Sequence, residues 1–232
     1  MDDRVVIITG ASSGIGEATA LRLHETGHVV YAGARRMERM APLAEHGIIV
    51  SPLDVTDDAS MVAFVDRVLS EQGRVDVLIN NAGYGSYGAL EDVPLTEGKR
   101  QLEVNLFGLA RMSQLVIPSM RRAGSGRILN VASMGGHFGE PLGAWYHASK
   151  YAVEGFSDSL RLELHEFGIS VILIEPGMIR TEWADGAYGS AEHYSGASAY
   201  AGQVRAMKRL YAEAEAARRR AEEEAAAAAA AG

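Results

Sequence analysis

The chain of 232 residues is 47% hydrophobic and 22% charged, a composition that predicts one sizeable core and a single domain. Its net charge of −8, with no basic block, argues against nucleic acid or an anionic membrane as the main partner and leaves a small molecule as the expected ligand. With no cysteine, disulfides, thiolate metal sites and thiol nucleophiles are excluded.

The opening "MDDRVVIITG" carries two acids where a secretory leader has basic residues. No run approaches the roughly 18 to 20 apolar residues of a membrane helix, so a cytoplasmic location is expected. "RVVIIT" reads as a first strand. It runs directly into "TGASSGIG", residues 9 to 16, and then into the helical "EATALRL". Gly10, Gly14 and Gly16 allow a tight turn and close backbone approach, and the helix start offers unpaired N–H groups to a pyrophosphate.

Further along, a helical segment, a glycine and a short β-branched run recur as "HETGHVVYAG", "AEHGIIVSPLD", "SEQGRVDVLIN" and "HEFGISVILIEPG". Gly27, Gly47, Gly73 and Gly168 fit left-handed helix ends. With "GRILNVA" from Gly126, six strands are expected, apolar enough for burial on both faces. Strands separated by helices predict an α/β fold with a doubly wound parallel sheet. Ligands of such sheets sit beyond the carboxyl ends of the strands.

"HETGH", residues 24 to 28, matches the zinc-binding H-E-x-x-H pattern. Gly27 should break the helix before His28, so the two imidazoles cannot share a helical face, and no metal site is expected. In "AWYHASKYAVEG", residues 144 to 155, Tyr146 and Lys150 are four apart and share one face of a predicted helix. A phenol has a free pKa of about 10, and a neighbouring ammonium favours its ionised form.

Residues 183–202 mix glycine, serine and aromatics without a clear period, which predicts a mobile lid. Trp183, Tyr188 and Tyr194, with Phe138, Leu142 and Trp145, are expected to line an apolar pocket if they face inward. His137 and His147 flank this region by sequence. The boundary is placed at 202: residues 1–202 form the main domain including the lid, and 203–232 form a C-terminal helix with an apolar stripe of Val204, Met207, Leu210 and Tyr211. Its seven alanines before Gly232 read either as a genuine helical tail or as an artificial end.

Taken together, "TGASSGIG", "LDVTD" at 53 to 57, "NNAG" at 80 to 83, Asn105, Ser133, the Tyr146–Lys150 pair and "EPGMIRT" at 175 to 181 resemble the short-chain dehydrogenase/reductase family over roughly residues 4 to 183. Through "GSGRILNVASMGG" and "YAVEGFSDSLRLEL" the chain is most similar to members acting on retinoids, steroids and other lipophilic alcohols. The resemblance implies that Tyr146 is the general acid for carbonyl reduction and the general base for alcohol oxidation. Lys150 would lower its pKa and hold the nicotinamide ribose, and Ser133 would orient the substrate oxygen. Asn105 would hold a water linking Lys150 to solvent, although an asparagine can also brace backbone.

The same resemblance implies cofactor contacts at Gly10, Ser12, Ser13, Gly14, Ile15 and Gly16, at Asp54 and Val55 on the adenine, at Asn81, Ala82 and Gly83 beside the adenosine ribose, and at Pro176, Gly177, Ile179 and Thr181. In "VYAGARRMER", after the second strand, Arg35 and Arg36 stand where an acid would hold the ribose of NAD, so NADP(H) is favoured, with NAD(H) as the alternative. Adjacent residues point different ways, and Arg35 is expected to be the one correctly placed. The resemblance implies a Rossmann-type doubly wound parallel sheet of order 3-2-1-4-5-6, of which six strands are visible and the family's seventh is not evident. A homodimer through the helices after strand four and after the Tyr-Lys pair is expected, and a tetramer is questionable. The competing reading is an NADP(H)-sensing binding module without turnover.

Overall fold

The computed structural model describes residues 3–179 and 181–231. Six parallel strands, β1 (Val5–Thr9), β2 (Val29–Ala34), β3 (Ile49–Pro52), β4 (Val77–Asn80), β5 (Gly126–Val131) and β6 (Ile169–Ile174), form one sheet in the order β3-β2-β1-β4-β5-β6. This is the expected Rossmann-type arrangement, and the order reverses between β1 and β4.

Both faces of β1 are covered, and the alternation of its side chains shows by what. Val6 and Ile8 pack with Ala20 of α1 (Gly14–Glu25) and Leu43 of α2 (Ala41–Glu45). Val5 and Ile7 face the other way, toward Phe64 of α3 (Asp58–Gln72), Met112 of α5 (Leu109–Ala123) and Leu160 of α6 (Ala144–Leu164). Each such aliphatic side chain contributes on the order of 1.5–3 kcal/mol on burial.

The strand expectation needs correction at β6. Its inner residues Ile169 and Val171 are buried, but Ile172 and Ile174 are 36% and 39% exposed. β6 is an edge strand, so only part of its apolar run is covered. The helix ends follow the sequence pattern: α3 stops at Gly73, whose φ of 71° lets its N–H reach the Leu69 carbonyl. Gly27 likewise ends the α1 segment with φ 89°, and His28 Nδ1 beyond it accepts from the Arg4 N–H at 3.3 Å. His24 and His28 therefore share no helical face.

Between β4 and β5 a buried polar chain pins the sheet to the helices. Asn80 Nδ2 donates to Asn130 Oδ1 (2.9 Å) and Ser113 Oγ (3.1 Å), and Asn130 Nδ2 donates to Ser157 Oγ (2.9 Å). A second local feature lies between α4 (Leu95–Leu102) and α5, where Glu103–Gly108 winds as a π-helix carrying Asn105. Such widened turns concentrate at functional sites.

The lid expectation also changes. Residues Trp183–Ser195 form a helix, α7, followed by α8 (Ala201–Ala231). The period missing from the aromatics is carried by small residues: Ala184, Ala187, Ala191 and Ser195, spaced three, four and four apart, form its buried face. On α8, Val204 is buried and Tyr211 stacks on Tyr188 at 4.4 Å, whereas Leu210 is 64% exposed. The alanine run is helical to Ala231, and Gly232 lies outside the described residues. Among the described residues no helix is long and apolar enough to cross a membrane.

Candidate active site

The carboxyl ends of β1, β2, β4 and β5 open onto one cleft of about 1450 Å³. Its floor begins at the turn after β1. Thr9 Oγ1 accepts from the Asn81 and Ala82 N–H groups (3.1 and 3.0 Å), and Asn81 Nδ2 donates to the Thr9 and Gly10 carbonyls (3.0 and 3.1 Å). This stitching brings Gly10 so near the second loop that a Cβ there would sit 2.7 Å from Ala82 Cα. Helix α1 then starts after Ser13 without a side-chain cap, so its first-turn N–H groups are free to meet an anion. The cradle fits the diphosphate of a dinucleotide.

Gly10, Ser12, Ser13, Gly14, Ile15, Arg35, Arg36, Asp54, Val55, Asn81, Ala82, Gly83, Ser133, Tyr146, Lys150, Pro176, Gly177, Ile179 and Thr181 all line this cleft. Gly16 lies under the turn, buried. Asn105 is also buried behind the wall. After β2, Arg36 rather than Arg35 folds back to the turn, its Nη2 donating to Ser12 and Ser13 Oγ at 3.2 Å each. Burial alone would raise the Asp54 carboxyl, but hydrogen bonds from Thr56 and the nearby Arg35 and Arg100 outweigh it and lower the pKa.

Tyr146 and Lys150 project from the first turns of α6 and are 6% and 7% exposed. Lys150 Nζ donates to the Val131 carbonyl at the end of β5 (2.9 Å) and lies 5.9 Å from the Tyr146 ring centre. Burial lowers the Lys150 pKa to about 8, against the opposing charge of Glu154. Burial also dominates at Tyr146 and raises the phenol, while a hydrogen bond with Ser133 lowers it only in part. In this geometry the expected depression of the tyrosine pKa by Lys150 does not appear. The ammonium sits by the ring and spends a donor on backbone, and desolvation wins.

Asn105 is fully engaged. Its Oδ1 accepts from the Tyr84 N–H (3.0 Å), and Nδ2 donates to the Tyr84 carbonyl (2.9 Å) and Ser149 Oγ (3.0 Å). The side chain braces the loop after β4 against α6. His147 braces the other side: its Nε2 accepts from the Glu140 N–H (3.1 Å), so Nδ1–H donates to the Gly135 carbonyl (2.9 Å). That pair fixes the segment between Ser133 and α6.

Of the aromatics expected in the pocket, Phe138, Trp183, Tyr188 and Tyr194 line the cleft. Leu142 is instead packed in a cluster with Tyr87 and Tyr146, and Trp145 packs on Gly98 of α4, where a Cβ would lie 2.4 Å from its ring. Leu142 lies in the turn before α6, and Trp145 leaves α6 toward α4. Tyr87, Met207, Leu210 and Tyr211 complete the wall. Tyr87 comes from a loop that no local motif marks, whereas Met207, Leu210 and Tyr211 belong to the apolar stripe of the C-terminal helix, which only the fold brings to the cleft. Trp183 closes over the tyrosine, its ring centre 5.0 Å from that of Tyr146 and 6.0 Å from that of Tyr87.

The model of the short chain dehydrogenase family matches residues 4–189, most of the chain. The chain belongs to the short-chain dehydrogenase/reductase family. Among curated relatives, a 3-ketodihydrosphingosine reductase of Bacteroides thetaiotaomicron is 45% identical over 186 residues, covering 80% of this chain and 67% of its own. Among solved structures, an alcohol dehydrogenase of the archaeon Thermococcus sibiricus, complexed with 5-hydroxy-NADP, superposes with a TM-score of 0.74 at 31% identity, covering 80% of this chain and 81% of its own. A 3-ketoacyl-(acyl-carrier-protein) reductase of Brucella melitensis, complexed with NADH, gives 0.77 at 33% identity, with 79% of each chain covered. This short-chain dehydrogenase/reductase is thus an oxidoreductase of the nicotinamide-dependent hydride-transfer class. Its neighbours include both NADP and NADH complexes.

Proposed function

We propose that the protein interconverts a carbonyl and an alcohol on a lipophilic substrate with NADP(H), using Tyr146 as general acid in reduction and general base in oxidation. One observation carries the reading: a single cleft holds the phosphate-binding turn, the Arg35–Arg36 pair, and Ser133, Tyr146 and Lys150 at the sheet's switch point. The nicotinamide supplies or accepts the hydride when bound. The chain's own residues do the rest. Ser133 orients the substrate oxygen, the Tyr146 hydroxyl gives or takes its proton, and the Lys150 ammonium favours the phenolate once it turns from Val131 toward the tyrosine.

Arg36 on the phosphate turn supports NADP(H), because a guanidinium there meets a 2′-phosphate. Tyr87, Trp183, Met207 and Leu210 support an apolar substrate, and the keto group in the name of the Bacteroides relative agrees with a carbonyl. A homodimer belongs to the same proposal: Phe107, Tyr151 and Leu162, on the helical face expected to pair, are 55%, 49% and 80% exposed. A spectrophotometric screen of ketones, aldehydes and alcohols with both nicotinamide cofactors tests the function. Turnover with NADPH and apolar ketones is expected. Cofactor binding without turnover on any class would instead favour a sensing module.

A further inference from the structure

The segment leading into α7 is fastened to Arg36, which the NADP(H) reading uses, and to its neighbour Arg39. Glu182, directly before α7, accepts from Arg39 Nη1 at 2.7 Å and from Arg39 Nη2 through its other oxygen, a two-pronged carboxylate–guanidinium pair. Arg36 Nη1 is 3.5 Å from the same carboxylate, while its Nη2 holds Ser12 and Ser13. Next to Glu182, Thr181 rests on the phosphate turn, so that a Cβ on Gly14 would lie 2.9 Å from Thr181 Cγ2. On the other side Trp183 lies over Tyr146. One three-residue stretch therefore touches the phosphate turn, the cationic corner after β2 and the catalytic tyrosine.

We propose that Glu182 is a specificity-determining residue whose carboxylate occupies the guanidinium corner of Arg36 and Arg39 in place of a 2′-phosphate, so that only a cofactor carrying that phosphate displaces it and releases α7 from the cleft. The inference rests on the NADP(H) reading. Carboxylate and phosphate compete for guanidinium through the same paired hydrogen bonds, and phosphate brings the larger charge. The latch is weak enough to open: the Arg36, Arg39 and Glu182 side chains are 47%, 38% and 52% exposed. Exposed ion pairs hold little free energy. A ribose 2′-hydroxyl has no charge with which to displace it. Arg39, which no motif marked, becomes part of the phosphate corner.

The test is equilibrium binding of 2′,5′-ADP and 5′-AMP, which differ only in the 2′-phosphate, to the full chain and to Glu182→Gln, with Trp183 fluorescence as a second readout. The native protein should prefer 2′,5′-ADP, and that ligand alone should change the fluorescence, a change that Trp183→Phe removes. Glu182→Gln should tighten 2′,5′-ADP about 3- to 10-fold, the size of one or two exposed ion pairs, and leave 5′-AMP within about twofold. A native preference for 2′,5′-ADP that Glu182→Gln leaves unchanged or weakens overturns the latch while keeping the cofactor reading. Equal tightening of both ligands, or a fluorescence change with 5′-AMP as well, also overturns it. No native preference overturns the cofactor reading and the latch together.

Discussion

At the scale of single residues, the site's behaviour turns on two buried titratable groups. Tyr146→Phe keeps the ring that packs against Trp183 and Tyr87 and removes only the hydroxyl. Turnover should drop by roughly 10² to 10⁴, the usual worth of a general acid or base, with cofactor affinity nearly unchanged. Steady-state kinetics beside a cofactor titration would show it, and near-native turnover would refute the assignment. Lys150 gives a pH signature. Its folded pKa is depressed to about 8, so between about 8 and its ordinary value near 10.5 the unfolded chain binds the proton and the folded chain does not. Native stability should therefore rise with pH across that window. Lys150→Met lacks the buried charge and should be the more stable form at pH 7, by up to about 3 kcal/mol from roughly 2.5 pKa units at 1.36 each. The advantage should shrink above pH 8, in urea melts recorded from pH 7 to 10. A gap that stays constant with pH would mean that the ammonium is not the source.

At the scale of elements, the two pieces least visible in the sequence shape the substrate side. Helix α7 is held by a face of alanines and Ser195, so close packing, not bulk, seats it. Ser195 Oγ donates to Asp92 Oδ2 (2.7 Å) and accepts from the Ala89 N–H (2.8 Å), tying the helix to the loop after β4. The turn before α6 contains Leu142 at φ 68°, the one non-glycine with positive φ among the described residues. Its carbonyl accepts from the Gly88 N–H at 2.8 Å, and its side chain packs with Tyr146, which holds the backbone in that conformation. Trp183, at the start of α7, should then act on large substrates. Trp183→Ala is expected to raise KM for long or polycyclic ketones about 10-fold or more while small ketones lose little, because only large ones bury area on the indole. Kinetics on a homologous ketone series would separate this from a penalty independent of size, the sign of a structural role.

At the scale of the whole molecule, stability and openness are unevenly distributed. Ile128 in β5 is fully buried between two helical layers, whereas Ile172 in the edge strand is 36% exposed. Ile128→Ala should cost about 2–5 kcal/mol and Ile172→Ala clearly less, since the edge site can relax toward solvent. Chemical denaturation of both variants would check the contrast, and equal losses would mean that β6 is as enclosed as the centre of the sheet.

Local chain chemistry determined much of this protein. Glycine-terminated helices alternating with β-branched runs fixed the parallel sheet, and the left-handed φ of Gly27, Gly47, Gly73 and Gly168 follows from that pattern. The glycine turn and the spacing of Tyr146 and Lys150 were legible for the same reason, because each depends on residues near one another in the chain. What depends on distant packing was not legible. Arg36 turns to the phosphate loop only because Ser12 and Ser13 lie there, and Asn105 braces Tyr84 and Ser149 across three elements. The raised Tyr146 pKa is a property of burial, and Tyr87, from the loop after β4, joins the pocket wall only because the fold brings it there. Periodicity and turn chemistry are written into neighbours along the chain, whereas desolvation and the direction of a side chain are set by whatever the fold brings against it, and only the tertiary structure decides that.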